Sequence, residues 1–169
     1  VRLLPQEGLS GVRMATKKMA IIATKGALDM AYPPLILAST AAALGWEVQI
    51  FFTFYGLQLL RKSLDDIAIS PIGNPAMPMP VPMPVIVSVL PGMQAMATSM
   101  MKAKMKKKGV ASLEELRDLC QEADVKFIAC QMTVDLFDFE KKDFIDGIEY
   151  GGAATFMKFA GESDVCLFI

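Results

Sequence analysis

Histidine occurs nowhere in the 169 residues, which removes Ser-His-Asp and Cys-His catalysis together with the commonest zinc ligand. An excess of charge is also missing. The 17 Lys and Arg nearly match 18 Asp and Glu, so the net charge is −1 and the basic stripe of a nucleic-acid binder is not present. No apolar signal core follows the opening residues, and an odd count of three cysteines makes no disulfide framework. Both absences predict a reducing, cytoplasmic setting. With no histidine and no compact cysteine spacing, a zinc or other metal site is not expected. Chemistry is left to cysteine, carboxylate, lysine and backbone groups.

What is present is apolar. Hydrophobic residues make up 53% of the chain, enough for one core-bearing domain. Met14-Ala-Thr-Lys-Lys18 reads as a natural start, so residues 1–13 are expected to be an extension outside a single domain spanning 14–169.

Within that domain, Met19-Ala-Ile-Ile-Ala-Thr24 predicts a buried strand that leaves through Lys25-Gly26. Asp29 is expected to open a helix that Gly45 closes, with Pro33 and Pro34 near its first turn, and residues 47–53 form a second strand. Strand, helix and strand make a right-handed parallel unit. A short helix over 57–62 follows. Prolines crowd residues 70–91, which predicts an extended apolar loop covered by a neighbouring subunit, with a candidate strand at 85–90. Residues 92–108 read as a helix, Met-rich at first and ending in Lys102, Lys104, Lys106, Lys107 and Lys108. Those lysines suit a helix C-terminus or form a collar for anions or an acidic partner. Prolines and polar residues within 81–101 argue against a membrane span, and any membrane contact would fall on residues 77–101. Ser112-Leu-Glu-Glu115 is a capping box, opening a helix to about Ala123. Residues 150–160 predict a final helix preceded by glycines, and residues 164–169 a closing strand. This alternation favours an open α/β parallel sheet covered on both faces.

The chemically suggestive stretch is Val125-Lys-Phe-Ile-Ala-Cys130, an apolar strand that ends on a thiol. Thr133 is the expected N-cap of a turn through Phe137, with Asp135 in its first turn, so Cys130 would lie beside exposed helix N–H groups that favour a thiolate. A plain buried cysteine is the alternative. Cys166 lies in an apolar run and reads as core, while Cys120 shares a helix face with Leu116 and serves either as packing or as a helper thiol. Gly151-Gly152 before a helix is a weak candidate anion cradle. Asp135 and Asp138 are better explained by capping and solvation than as a catalytic pair.

Taken together, Ala129-Cys-Gln-Met-Thr-Val-Asp-Leu136, the helix 112–120 before it and Ile145-Asp-Gly-Ile-Glu-Tyr-Gly-Gly-Ala-Ala-Thr155 after it resemble the DsrE/DsrF-like sulfur-carrier family, in its peroxiredoxin-like DsrE branch. Ile21-Ile-Ala-Thr-Lys-Gly26 and Phe51-Phe-Thr-Phe-Tyr-Gly56 extend the likeness over nearly all of residues 16–169. The resemblance implies a flavodoxin-like three-layer α/β domain with a mostly parallel sheet, assembled as a cytoplasmic homo-oligomer. It also implies that Cys130 carries sulfane sulfur or thiosulfate, with TusA-like carriers and rhodanese-like proteins as partners and no cofactor. Cys120 is then a secondary thiol at most, and Lys25, Gly26, Thr133, Gly151 and Gly152 are the candidate anion-binding residues. A scaffold role for the Met-rich surface and a thiol peroxidase are the competing readings, although the Thr-x-x-Cys peroxide pattern is absent.

Overall fold

A computed structural model describes residues 16–71 and 90–169. Five strands form one sheet in the order β4-β3-β2-β1-β5, every neighbouring pair parallel: β1 (Lys18–Ala23), β2 (Glu47–Phe52), β3 (Lys126–Cys130), β4 (Glu149–Gly151) and β5 (Val165–Phe168). The layering is the expected one, but the strand order departs from the 2-1-3-4-5 of flavodoxin. The last strand crosses back to pair with β1.

Helices cover both faces. On one, α1 (Leu28–Ala43), α2 (Met93–Lys107) and α3 (Leu113–Glu122) enclose the larger core, in which Ile21, Leu35, Ile50, Phe52, Leu57 and Phe127 are almost wholly buried. On the other, α5 (Ala153–Ala160) lays Phe156 and Phe159 over Ala20, Phe51 and Ile128, and the rings of Phe156 and Phe51 stack at 5.2 Å. The three central strands are largely apolar, with Gln49 of β2 the buried polar exception, because both faces are covered.

Several local expectations change. The capping box at Ser112 forms, each member bonding the other's backbone. Asp29, by contrast, caps nothing; Ala27 is the N-cap of α1, and the Asp29 carboxylate accepts from the Ser70 amide and hydroxyl at 2.7 and 2.8 Å. Pro33 and Pro34 lie past the first turn, inside α1. The helix expected over 57–62 is a 3₁₀ segment, Phe54–Leu60. Glycines 151 and 152 do not merely precede the final helix, since residues 149–151 form the edge strand β4. The candidate strand at 85–90 lies almost entirely outside the described residues. Among the described residues no helix is long and apolar enough to cross a membrane.

Candidate functional site

The register of the sheet brings its carboxyl ends level. Phe52 pairs with Ala129 and Cys130 with Gly151, so Thr53, the first residue past β2, follows at the same end of the sheet as Cys130 and Gly151. Along β3 side chains alternate between the faces: Phe127 and Ala129 point into the larger core, Ile128 and Cys130 toward α5. The chain then turns at once into α4 (Gln131–Leu136), for which Cys130 itself is the N-cap residue. Thr133 is therefore not the cap. It sits in the first turn of α4 with no exposure, its hydroxyl shared with that of Thr53 at 3.1 Å and accepting the Phe54 amide at 3.3 Å.

This arrangement acts on the thiol. Cys130 is 5% exposed. Burial by itself pushes the thiol up, but the Thr133 and Met132 amides and the hydroxyl pair of Thr133 and Thr53, which has one proton left over from its own hydrogen bond, face the sulfur and hold it below the ordinary cysteine value. The neutral thiol closes no full cap hydrogen bond; the donors favour its anion. Thr133→Val removes the Thr133 hydroxyl from this set. The pH at which Cys130 becomes half-alkylatable should then rise, by about 1 unit for the loss of one charge-assisted bond. A pH profile of iodoacetamide labelling reads this, and an unchanged midpoint rejects the role given to Thr133.

Phe54, which donates to Thr133, has φ +48°, in the left-handed region that aromatic residues avoid. Across the mouth, Gly151 ends β4 and Gly152 is the N-cap of α5, with open space where a Cβ would stand. The two glycines are thus beside Cys130, as are Thr133 and the unforeseen Thr53.

Other candidates are elsewhere. Lys25 and Gly26 follow β1, two strands from Cys130, and line a separate cavity of about 390 Å³ with Met30, Tyr55, Gln58 and Ser70. Cys120 lies between α3 and α1 on the opposite side of the sheet, wholly buried, its thiol donating to the Leu35 carbonyl at 3.4 Å; burial pushes it up to about 12. Cys166 corrects the expectation of a core residue. On the edge strand β5 it is exposed, its thiol donating to the Ala160 carbonyl at 3.3 Å, because the eight residues of α5 leave that margin open. A cavity of about 980 Å³ between α1, α2 and α3 does not touch Cys130. Asp135 and Asp138 are exposed, Asp135 accepting from the Gln131 side chain at 2.7 Å.

Fold and site together define a small α/β protein with a buried cysteine at the carboxyl edge of a parallel sheet, where strand β3 passes into helix α4. The chain belongs to the DsrE/DsrF/DrsH-like family, which matches residues 15–168. It is 69% identical over 160 residues to the sulfur carrier protein DsrE2 of Allochromatium vinosum, covering 92% of this chain and all of that protein. It is 34% identical over 158 residues to the uncharacterized protein YrkE of Bacillus subtilis, covering 91% of this chain and 98% of that one. Among solved structures, the ychN protein from E. coli shares the fold with a TM-score of 0.52 at 12% identity, over 91% of this chain and all of the other.

Proposed function

We propose that the protein is a sulfur carrier that holds sulfane sulfur or thiosulfate on Cys130 and passes it on within sulfur oxidation or sulfur relay. The observation that carries this reading is the buried Cys130 sulfur at the start of α4, faced by the Met132 and Thr133 amides and by the Thr53–Thr133 hydroxyl pair, which has one proton free to donate. The high identity to a protein named as a sulfur carrier supports it.

The transfer is a thiol exchange. The Cys130 thiolate attacks the outer sulfur of a donor persulfide, a new S–S bond forms on Cys130, the donor's S–S bond breaks, and its electron pair leaves with the donor thiolate. The donors around the sulfur stabilise the negative charge that the bound persulfide keeps. TusA-like and rhodanese-like proteins in the cytoplasm are the proposed partners. Homo-oligomers are the proposed assembly, supported by the exposed apolar side chains Met96, Met100 and Phe168. A thiol peroxidase resolved by Cys120 gains no support from the geometry, since that sulfur is sealed on the other face of the sheet.

Tetrathionate offers a direct test: attack by Cys130 releases thiosulfate and leaves thiosulfate bound through a new S–S bond. Peptide mapping by mass spectrometry should place this adduct on Cys130, with Cys120 unmodified. An adduct confined to Cys166 would overturn the proposal.

A further inference from the structure

We infer that the surface around Cys130 is a docking site for a partner protein whose cysteine sits on an apolar segment bearing cations. The inference rests on the carrier reading and adds to it the chemistry of the partner.

A sulfur atom passes between two proteins only when the two sulfurs come within bonding distance. Cys130 is 5% exposed, so the partner's segment has to press against the rim. That rim is apolar. Phe54 is 46% exposed, Tyr55 65%, Met132 62% and Leu136 59%, although large apolar side chains gain most by burial. Tyr55 stacks on Phe137 at the end of α4 at 5.9 Å, and the Phe54 amide reaches Thr133 within α4, so this segment packs against the helix that carries Met132 and Leu136. Met132 and Leu136 are four residues apart on the outward side of α4, while Thr133 and Val134 face inward. Phe54 is exposed at φ +48°, in the left-handed region that aromatic residues avoid.

Charge selects the occupant. The exposed carboxylates Asp135 and Asp138 lie on and just beyond α4, beside Met132 and Leu136, while Lys25 borders the rim at its other end, where it lines a cavity with Tyr55. An apolar segment flanked by lysine or arginine meets this rim favourably, and one flanked by acids is repelled.

The test uses two short peptides with the same apolar residues around one cysteine, one flanked by lysines and the other by glutamates. Each is activated as a mixed disulfide with thionitrobenzoate and added to the full chain carrying Cys166→Ser. The Cys130 thiolate attacks the peptide sulfur, and the coloured thionitrobenzoate leaves with the electrons of the broken bond. Rates are normalised to those of the same peptides with 2-mercaptoethanol. At low salt the lysine peptide should react about tenfold faster than the glutamate peptide, and high salt should remove the preference. Asp135→Asn with Asp138→Asn should also remove it. Tyr55→Ser with Leu136→Ser should slow both peptides several-fold and leave the rate with the small neutral reagent dipyridyl disulfide unchanged. Equal normalised rates, or variants without effect, overturn the docking inference and leave the carrier reading standing. A Cys130 inert even to dipyridyl disulfide overturns both.

Discussion

Cys130→Ala is expected to abolish sulfur loading while the fold survives. The two halves of this result have separate causes. Loading fails because no other sulfur in the described residues has comparable surroundings: Cys120 is wholly buried with its thiol pushed up to about 12, and Cys166 sits at an open margin away from the threonine pair. Adduct remaining on Cys166 is eliminated by making the measurement in a Cys166→Ser background. The fold survives because alanine fits where a small side chain already packs, and because the polar neighbours keep partners. Thr53 and Thr133 still share their hydrogen bond, and Thr133 still accepts the Phe54 amide, so neither hydroxyl is left without a partner. The loss of one buried sulfur costs about 1 kcal/mol, a fall in Tm of about 2–4 °C. Mass spectrometry after polysulfide treatment, beside a thermal melt, measures both. Loading that persists in the variant removes Cys130 from the mechanism. Loss of loading with function intact in the cell would move the protein to the scaffold reading.

The central strands could be read from the chain because parallel strands buried on both faces leave continuous apolar runs, as in Met19 to Ala23 and Phe127 to Cys130. The capping box at Ser112 was equally legible, since its two hydrogen bonds span only three residues. Features that depend on distant segments were not. Thr133 looked like a cap from its neighbours, yet its hydroxyl points to Thr53, 80 residues earlier, and no local pattern records that pairing. Strand β4 is three residues long and pairs only with β3 at the sheet edge, so Glu149-Tyr-Gly151 carries no period of its own. Cys166 had the apolar neighbours of a core strand, but crossing to the sheet's far edge left it uncovered. Lys25 and Cys130, each at a strand end, do not share one site because β2 stands between β1 and β3.

Gly56→Ala should cause the largest loss of stability of any change near the site. A Cβ at Gly56 would stand 2.2 Å from the Ala23 carbonyl oxygen and 2.8 Å from its carbon, both backbone atoms that cannot rotate away. The approach is reciprocal, for a Cβ at Gly26 would stand 2.3 Å from the Tyr55 carbonyl oxygen. Two backbone segments are thus in direct contact, tied by the Gly56 amide donating to the Thr24 carbonyl at 3.1 Å. Relief of the clash has to lift the 3₁₀ segment from the end of β1, which costs about 3 kcal/mol or more and lowers Tm by about 6–12 °C. Because Thr53 and Phe54 lead into that segment, the shift also loosens the contacts that bring Thr53 to the sulfur, and the alkylation profile of Cys130 should move to higher pH. Gly152→Ala is the matched control: it adds a Cβ at the mouth, into open space and on extended backbone, and should change stability by no more than about 0.5 kcal/mol. Urea unfolding of the two variants separates packing from composition. A Gly56→Ala protein as stable as the Gly152→Ala protein would mean that the 3₁₀ segment is not pinned against β1, and that the threonine pair is held at Cys130 by something other than this contact.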